Sequence, residues 1–137
     1  MPGSTFLDTN VLVYSVDSRD RAKQQTALRL LADSSEMYVV SGQVLAEFYV
    51  TATRGLPRPL THDAAAARVD ELSELPVVPI DDTIVRAAIS LTETARISYW
   101  DAAIIAAASV AGCRRVLTGD MHDGAEIAGV RVENPFK

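Results

Sequence analysis

At 137 residues, with nearly half of them apolar, the chain has the size of one ordinary domain that can bury a core without staples. The formal charge of −5 argues against a surface dominated by basic groups, and no uninterrupted apolar run approaches the roughly 20 residues that a membrane helix needs. A single cysteine, Cys113, leaves no internal disulfide, and the N-terminus lacks the basic segment and apolar core of a secretory signal; a soluble protein of the reducing cytoplasm is expected.

Taken in order, Thr5-Phe6-Leu7-Asp8-Thr9-Asn10 is a short apolar run that ends in an acid and breaks into small polar residues. It reads as a buried strand delivering the Asp8 carboxylate to the mouth of a sheet. Val11 to Tyr14 continues apolar, and Asp17-Ser18-Arg19-Asp20 is a polar break with helix-start character. Arg21 to Ala32 has the spacing of an amphipathic helix. Tyr38-Val39-Val40 is a second strand closed by Ser41-Gly42, followed by an apolar helix from Gln43 to Thr53 whose one charge is Glu47. Gly55 to Pro59, with two prolines, is a loop. Thr61 caps a helix running to Leu75, and Val77 to Ile80 is a third strand that Pro79 assigns to an edge or a strand end. Asp81 or Asp82 starts a helix to about Ala95. Ser98-Tyr99-Trp100-Asp101 introduces the most apolar helix, Trp100 to about Ala111, stopped by Gly112. Arg115-Val116-Leu117 is a fourth strand leading into Thr118-Gly119-Asp120, and Val130-Arg131-Val132 a fifth. Strands alternating with helices predict one α/β domain, a mostly parallel sheet covered by helices on both sides, with its chemistry at strand ends.

Four acids stand out. Asp8 and Asp120 follow strands directly, while Glu47 and Asp101 sit in helices with almost nothing polar around them, and none of the four has Lys or Arg within four residues. An unpaired carboxylate on a buried face is protonated, paired across space or bound to metal. Each also has a structural role open to it: Asp8 and Asp120 as turn caps, and Asp101 as the acid of a Ser98-x-x-Asp101 capping box. Glu47, in mid-helix, is hardest to explain that way. Jointly, acids from two strand ends and two helices suit a hard divalent cation such as Mg²⁺ or Mn²⁺, which takes oxygen ligands from several elements. They would also account for four of the five net negative charges. Such a centre favours phosphoryl chemistry with an activated water and needs no side-chain nucleophile. Consistent with that, His62 and His122 show no metal-ligand spacing, and Cys113 has no histidine nearby.

In order, spacing and length, Phe6-Leu7-Asp8-Thr9-Asn10, Ser41 to Phe48, Tyr99 to Ile104 and Leu117-Thr118-Gly119-Asp120 together resemble the PIN-domain ribonucleases, specifically the VapC-type toxins of bacterial toxin–antitoxin pairs. The resemblance implies a PIN-like three-layer sandwich with a central, mostly parallel sheet of four to five strands flanked by helices. It implies Mg²⁺- or Mn²⁺-dependent cleavage of RNA, with Asp8, Glu47, Asp101 and Asp120 as catalytic, metal-binding acids. Asn10 and Thr118 would support them by hydrogen bonding. Asp123 follows so closely that either it or Asp120 is offered as the fourth acid, with Asp120 nearer the strand end. The resemblance also implies a homodimer and a small cognate antitoxin whose tail enters the acidic cleft. Tyr14, Tyr49 and Arg54 are conceivable RNA contacts.

Two other readings are open. An Asp-x-Asn after a first strand also suits phosphatases of the haloacid dehalogenase type, but Asn10 cannot donate a carboxyl proton, and the only lysines are Lys23 and Lys137. A non-catalytic PIN-like module binding RNA or protein is the second, although all four acids are present.

Overall fold

The structure, a computed structural model, describes residues 3–137. Twelve elements follow one another along the chain: β1 (Thr5–Leu7), α1 (Thr9–Tyr14), α2 (Arg21–Ala32), β2 (Tyr38–Ser41), α3 (Gly42–Arg54), α4 (His62–Leu72), β3 (Val77–Val78), α5 (Asp82–Thr94), α6 (Tyr99–Val110), β4 (Arg115–Leu117), β5 (Glu126–Ile127) and β6 (Val130–Glu133). Each helix starts behind an Asp, Ser or Thr whose side chain accepts a free N–H of the first turn, from Asp8 on α1 to Ser98 on α6. The expected Thr61 cap is among them, accepting Ala64 N–H at 3.1 Å.

The sheet runs β3-β2-β1-β4-β6-β5, parallel except for the β5–β6 edge. Every residue of β1 and β2 is buried, as expected of strands covered on both faces. The core gathers on them: Phe6, Leu7, Val39 and Val40 from the sheet meet Leu12, Phe48, Ile104 and Ile105 from the helices. A second cluster, Ile84 and Ala88 against Ala102, Ala103 and Ala106, joins α5 to α6, where alanines let the helices approach closely. No helix is long and apolar enough to cross a membrane among the described residues.

Three details go beyond the sequence reading. The apolar run Val11 to Tyr14 is helical, because Asp8 ends the strand by capping α1 at once. The third strand is only Val77–Val78, cut short by Pro79 at the sheet edge. A sixth strand, β5, is added by a tight hairpin: Ile127 pairs with Val130, and Ala128 (φ 53°) and Gly129 (φ 79°) form the two-residue turn, both left-handed as a type I′ turn demands. Two residues of strand carry no periodicity to detect.

At the end of the sheet away from the acids, Arg115 ties three strands together. It pairs with Glu36 ahead of β2, with Glu133 of β6 at 2.6 Å, and donates to Thr5 Oγ1 of β1 at 2.9 Å. Glu36 also accepts the Thr5 hydroxyl at 3.1 Å. Removing the guanidinium leaves the half-buried Glu36 and Glu133 with only the longer contacts of Arg114, at 3.6 Å, and Arg131, at 3.7 Å. Arg115→Met is expected to lower the unfolding free energy by about 1–2 kcal/mol, read from urea unfolding at neutral pH; an unchanged midpoint would show the network to be idle.

Candidate active site

From β1 the chain moves outward to β2 and β3 and then returns to β4 on the other side of β1. The carboxyl ends of β1 and β4 are therefore the switch point of the sheet, where a crevice opens. Leu7 is in register with Leu117, so the next residues, Asp8 and Thr118, emerge side by side, and Asp8 N–H bonds to Leu117 O at 3.1 Å.

Asp8 is 7 % exposed. Its Oδ1 accepts Thr9 N–H at 2.7 Å, and its Oδ2 accepts the Thr118 hydroxyl at 2.8 Å and Asn10 Nδ2 at 3.4 Å. Burial pushes its carboxyl up from 3.8 to about 6, with the charges of Asp120 and Asp101 adding to the rise and the bonds from Thr118 and Thr9 opposing it. Asn10 locks the switch point from within: Nδ2 reaches Thr118 Oγ1 at 3.3 Å, and Oδ1 accepts Gly119 N–H at 2.9 Å. Thr118 Oγ1 in turn accepts Asp120 N–H at 3.1 Å, which turns the chain so that Asp120 faces the same crevice.

The helices supply the other two acids. Glu47, one turn after Gln43 on α3, accepts Gln43 Nε2 at 3.0 Å and Thr9 Oγ1 at 3.3 Å through Oε1. Asp101 lies in the first turn of α6, its N–H bonded to the Ser98 hydroxyl at 3.1 Å; burial raises its carboxyl pKa and Asp120 adds to the rise. The capping role and the crevice-facing role of Asp101 thus coexist.

All four acids and Asn10 line one cleft of about 260 Å³, together with Thr9, Gln43 and Trp100, and no Lys, Arg or His is among its walls. Of the four, only Asp8 is buried; Asp101 is half-buried and Glu47 and Asp120 are exposed, so the argument from a costly buried carboxylate applies to Asp8 and not to Glu47. Among the described residues no three His, Cys, Asp or Glu side chains are closed into a metal-holding group. The acids ring the cleft rather than converge on a point. A Mg²⁺-like ion, which retains several waters and takes one or two carboxylates directly, fits an all-oxygen, uncompensated donor set spread in this way.

Asp123 stands elsewhere. It accepts Asn134 N–H at 2.7 Å and lies 3.6 Å from Lys137 Nζ, and these hold its carboxyl below the usual range, the backbone bond foremost. Of the two acids offered for the fourth position, the cleft contains Asp120. Lys23 lies 4.9 Å from the Tyr14 ring centre and Lys137 beside Asp123, so neither lysine can serve a phosphoaspartate site at Asp8. Tyr14 packs edge-on against Phe136 and Tyr49 bonds to His62 at 2.8 Å; neither they nor Arg54 line the cleft. Sequence reasoning missed Gln43 and Trp100. The first was legible as the residue one turn before Glu47, the second only as an aromatic neighbour of Asp101; Trp100 is 64 % exposed at the cleft wall.

Thr118→Val removes the hydroxyl that donates to Asp8 and accepts from Asp120 and Asn10. The Asp8 carboxyl is expected to titrate above its present value of about 6 in the metal-free protein, followed by carbon-detected NMR. Any activity of the cleft should fall about 10- to 100-fold.

The PIN domain family model matches residues 5–123. No curated protein sequence matches the chain. Among solved structures, a toxin–antitoxin complex from Klebsiella pneumoniae superposes with a TM-score of 0.69 at 23% identity, covering 93% of this chain and 95% of that one. VapC20 of Mycobacterium tuberculosis, a sarcin–ricin loop cleaving toxin, gives 0.67 at 22% identity over 85% and 92% of the two chains. FitAcB from Neisseria gonorrhoeae gives 0.72 at 19% identity over 96% and 98%. At such identities these likenesses establish the shared fold.

Proposed function

Since the chain belongs to the PIN domain family, matched over residues 5–123, we propose that it is a divalent-metal-dependent endoribonuclease, the toxin of a VapBC-type toxin–antitoxin pair acting in the cytoplasm. The observation that carries this reading is the cleft at the switch point: four carboxylates, one of them buried, with no cationic side chain among the walls. Phosphodiester cleavage needs cations where the structure supplies only anions, so the counter-charge comes from solution.

Asp8, Asp101, Asp120 and Glu47 are the residues that would hold Mg²⁺ or Mn²⁺. When bound, such an ion activates water and neutralises charge on the departing oxygen. The chain's own part is to prepare the cleft. Asn10 and Thr118 hold the Asp8 carboxylate in one orientation, and Gln43 and Thr9 do the same for Glu47. Near neutral pH Asp8 has lost its proton despite burial, because its pKa of about 6 lies below that range.

The partners proposed are RNA as substrate, a second copy of the chain, and a cognate antitoxin; the toxin–antitoxin complexes among the structural neighbours support the last. An apolar groove between α3 and α4, with Leu45, Tyr49, Val50 and Val69 in its walls, offers a surface that a protein partner would cover. The test is cleavage of a structured RNA by the purified protein with Mn²⁺ or Mg²⁺. Fragments should appear with metal and vanish with chelator and in Asp101→Asn; undiminished cleavage in that variant would overturn the assignment.

A further inference from the structure

Past the ends of α1 and α3 that point away from the acidic cleft lies a second pocket of opposite character. It has a volume of about 370 Å³, and Arg19, Arg21 and Arg58 line it with Asp17 and Ser18. Asp17 is already spoken for: both its oxygens engage the Arg19 guanidinium, at 2.7 to 3.1 Å. Asp20, next in the chain, is turned into the cap of α2, accepting Lys23 N–H at 3.1 Å. The side chains of Arg21 and Arg58 make no hydrogen bond or ion pair among the described residues, so the pocket presents two uncompensated guanidinium groups in a protein of net charge −5.

Neither arginine is placed for the benefit of the fold. Arg21 is the first residue of α2, where a cation opposes the helix dipole. Arg58 stands between Pro57 and Pro59, which restrict the backbone around it, and its exposed side chain lines the pocket. Unpaired guanidinium groups lining one pocket match the oxygens of a phosphate.

The pocket is also in line with the acids. α1 and α3 lie side by side and run the same way: Thr9 bonds to Glu47, Val13 and Thr51 share the cleft wall one turn later, and Val16 and Leu56 share the wall of the basic pocket. Thr9 and Val16 are separated by α1 and the turn that continues it, about 10 Å at a helical rise, a distance that two or three nucleotides of a single strand span.

The geometry points to a backbone-phosphate site for single-stranded RNA at Arg21 and Arg58, which grips the strand a few nucleotides from the acids and runs it along the α1–α3 groove. This rests on the nuclease reading above and deepens it by giving the strand a path. Phosphate contacts position a strand without reading its bases, so the site would set register and affinity.

The test uses a fluorescein-labelled oligouridylate and the full chain carrying Asp8→Asn, so that binding is measured without turnover or added metal. Adding R21Q and R58Q together should weaken binding about tenfold or more at low salt and flatten the salt dependence by about 0.7 for each lost phosphate contact. R29Q with R86Q, the same charge change on exposed positions away from the pocket, should leave binding within twofold. With Asp8 restored, the double pocket variant should cleave with a raised KM and a nearly unchanged kcat, and its melting temperature should match the parent's. Equal affinity and equal salt slope in parent and pocket variant would overturn the site even while Asp8-dependent cleavage stands, and would be the result if the pocket instead receives an acidic protein segment. Should the parent show no Asp8-dependent cleavage yet lose oligonucleotide binding with the two arginines, the nuclease reading falls and the phosphate site is upheld.

Discussion

Asp8→Asn is expected to lower RNA cleavage by about a hundred- to a thousandfold, the scale of losing one group that organises charge in a transition state, and at the same time to raise the melting temperature of the metal-free protein. The two effects have one cause. Burial raises the Asp8 carboxyl from 3.8 to about 6, so the native state prefers the neutral acid while the unfolded chain ionises at the ordinary value. Stability from this group is complete below pH 3.8, declines as pH rises towards 6, and is gone above it. The shift corresponds to about 3 kcal/mol as an upper bound. Asparagine removes the charge but does not recover all of that. Its Oδ1 can still take the Thr9 N–H, but its amide meets a Thr118 hydroxyl that already accepts from Asn10 and Asp120. A net gain of about 1–2 kcal/mol, about 3–8 °C in melting temperature, is the expected outcome at pH 7.5 with chelator present. A variant that is both less stable than the parent and fully active would contradict the placement of Asp8 at a strained, functional position.

The second large effect concerns pH and metal together. Carboxylates ligate only when deprotonated, and Asp8 and Asp101 both resist deprotonation because of burial and the Asp120 charge beside them. Mn²⁺ added at a hundred times its dissociation constant should therefore stabilise the protein by about 2.7 kcal/mol at pH 7.5, and the gain should vanish by pH 5. Cleavage should drop about tenfold per unit once pH falls below about 6, the Asp8 value. Raising the metal concentration should move that limb to lower pH, because binding expels the proton. Scanning fluorimetry across pH and metal concentration checks the first, and initial rates check the second. A stabilisation by Mn²⁺ that is equal at pH 5 and 7.5, or that survives in Asp8→Asn, would remove Asp8 from the metal-binding set.

How much of this was legible before the structure depends on which physical signal each residue carries. The strand end at Asp8 was legible because a buried apolar run and the acid that ends it are adjacent in the chain. The convergence of Asp8 with Asp120 followed from a parallel α/β order, which sends strand ends to one side. Glu47 was singled out for a wrong reason: its helix looks apolar all round, but Ala46 and Glu47 face outward and the side chain is solvated on the cleft rim. Asp120 was favoured over Asp123 as nearer the strand end, but the bond from Asn134 N–H that occupies Asp123 joins positions that no local pattern links. The Arg21 and Arg58 pocket was invisible for the same reason. Its parts come from the start of one helix and the loop after another, and only the side-by-side run of α1 and α3 brings them into line with the acids.

The pairing of β1 with β4 sets the order in which this protein can become active during its own synthesis. Asp8 is among the first residues made, yet the hydroxyl that orients it belongs to Thr118, 110 positions later. Closing so long a loop is slow and has no local contacts to prepare it. A nascent chain that has folded β1, β2 and α3 holds only two of the four acids, and its β1 edge is still bare. Until residues 115–120 leave the ribosome and dock there, the cleft has one wall missing. The acidic site is thus completed by the late docking of β4 on the first strand made.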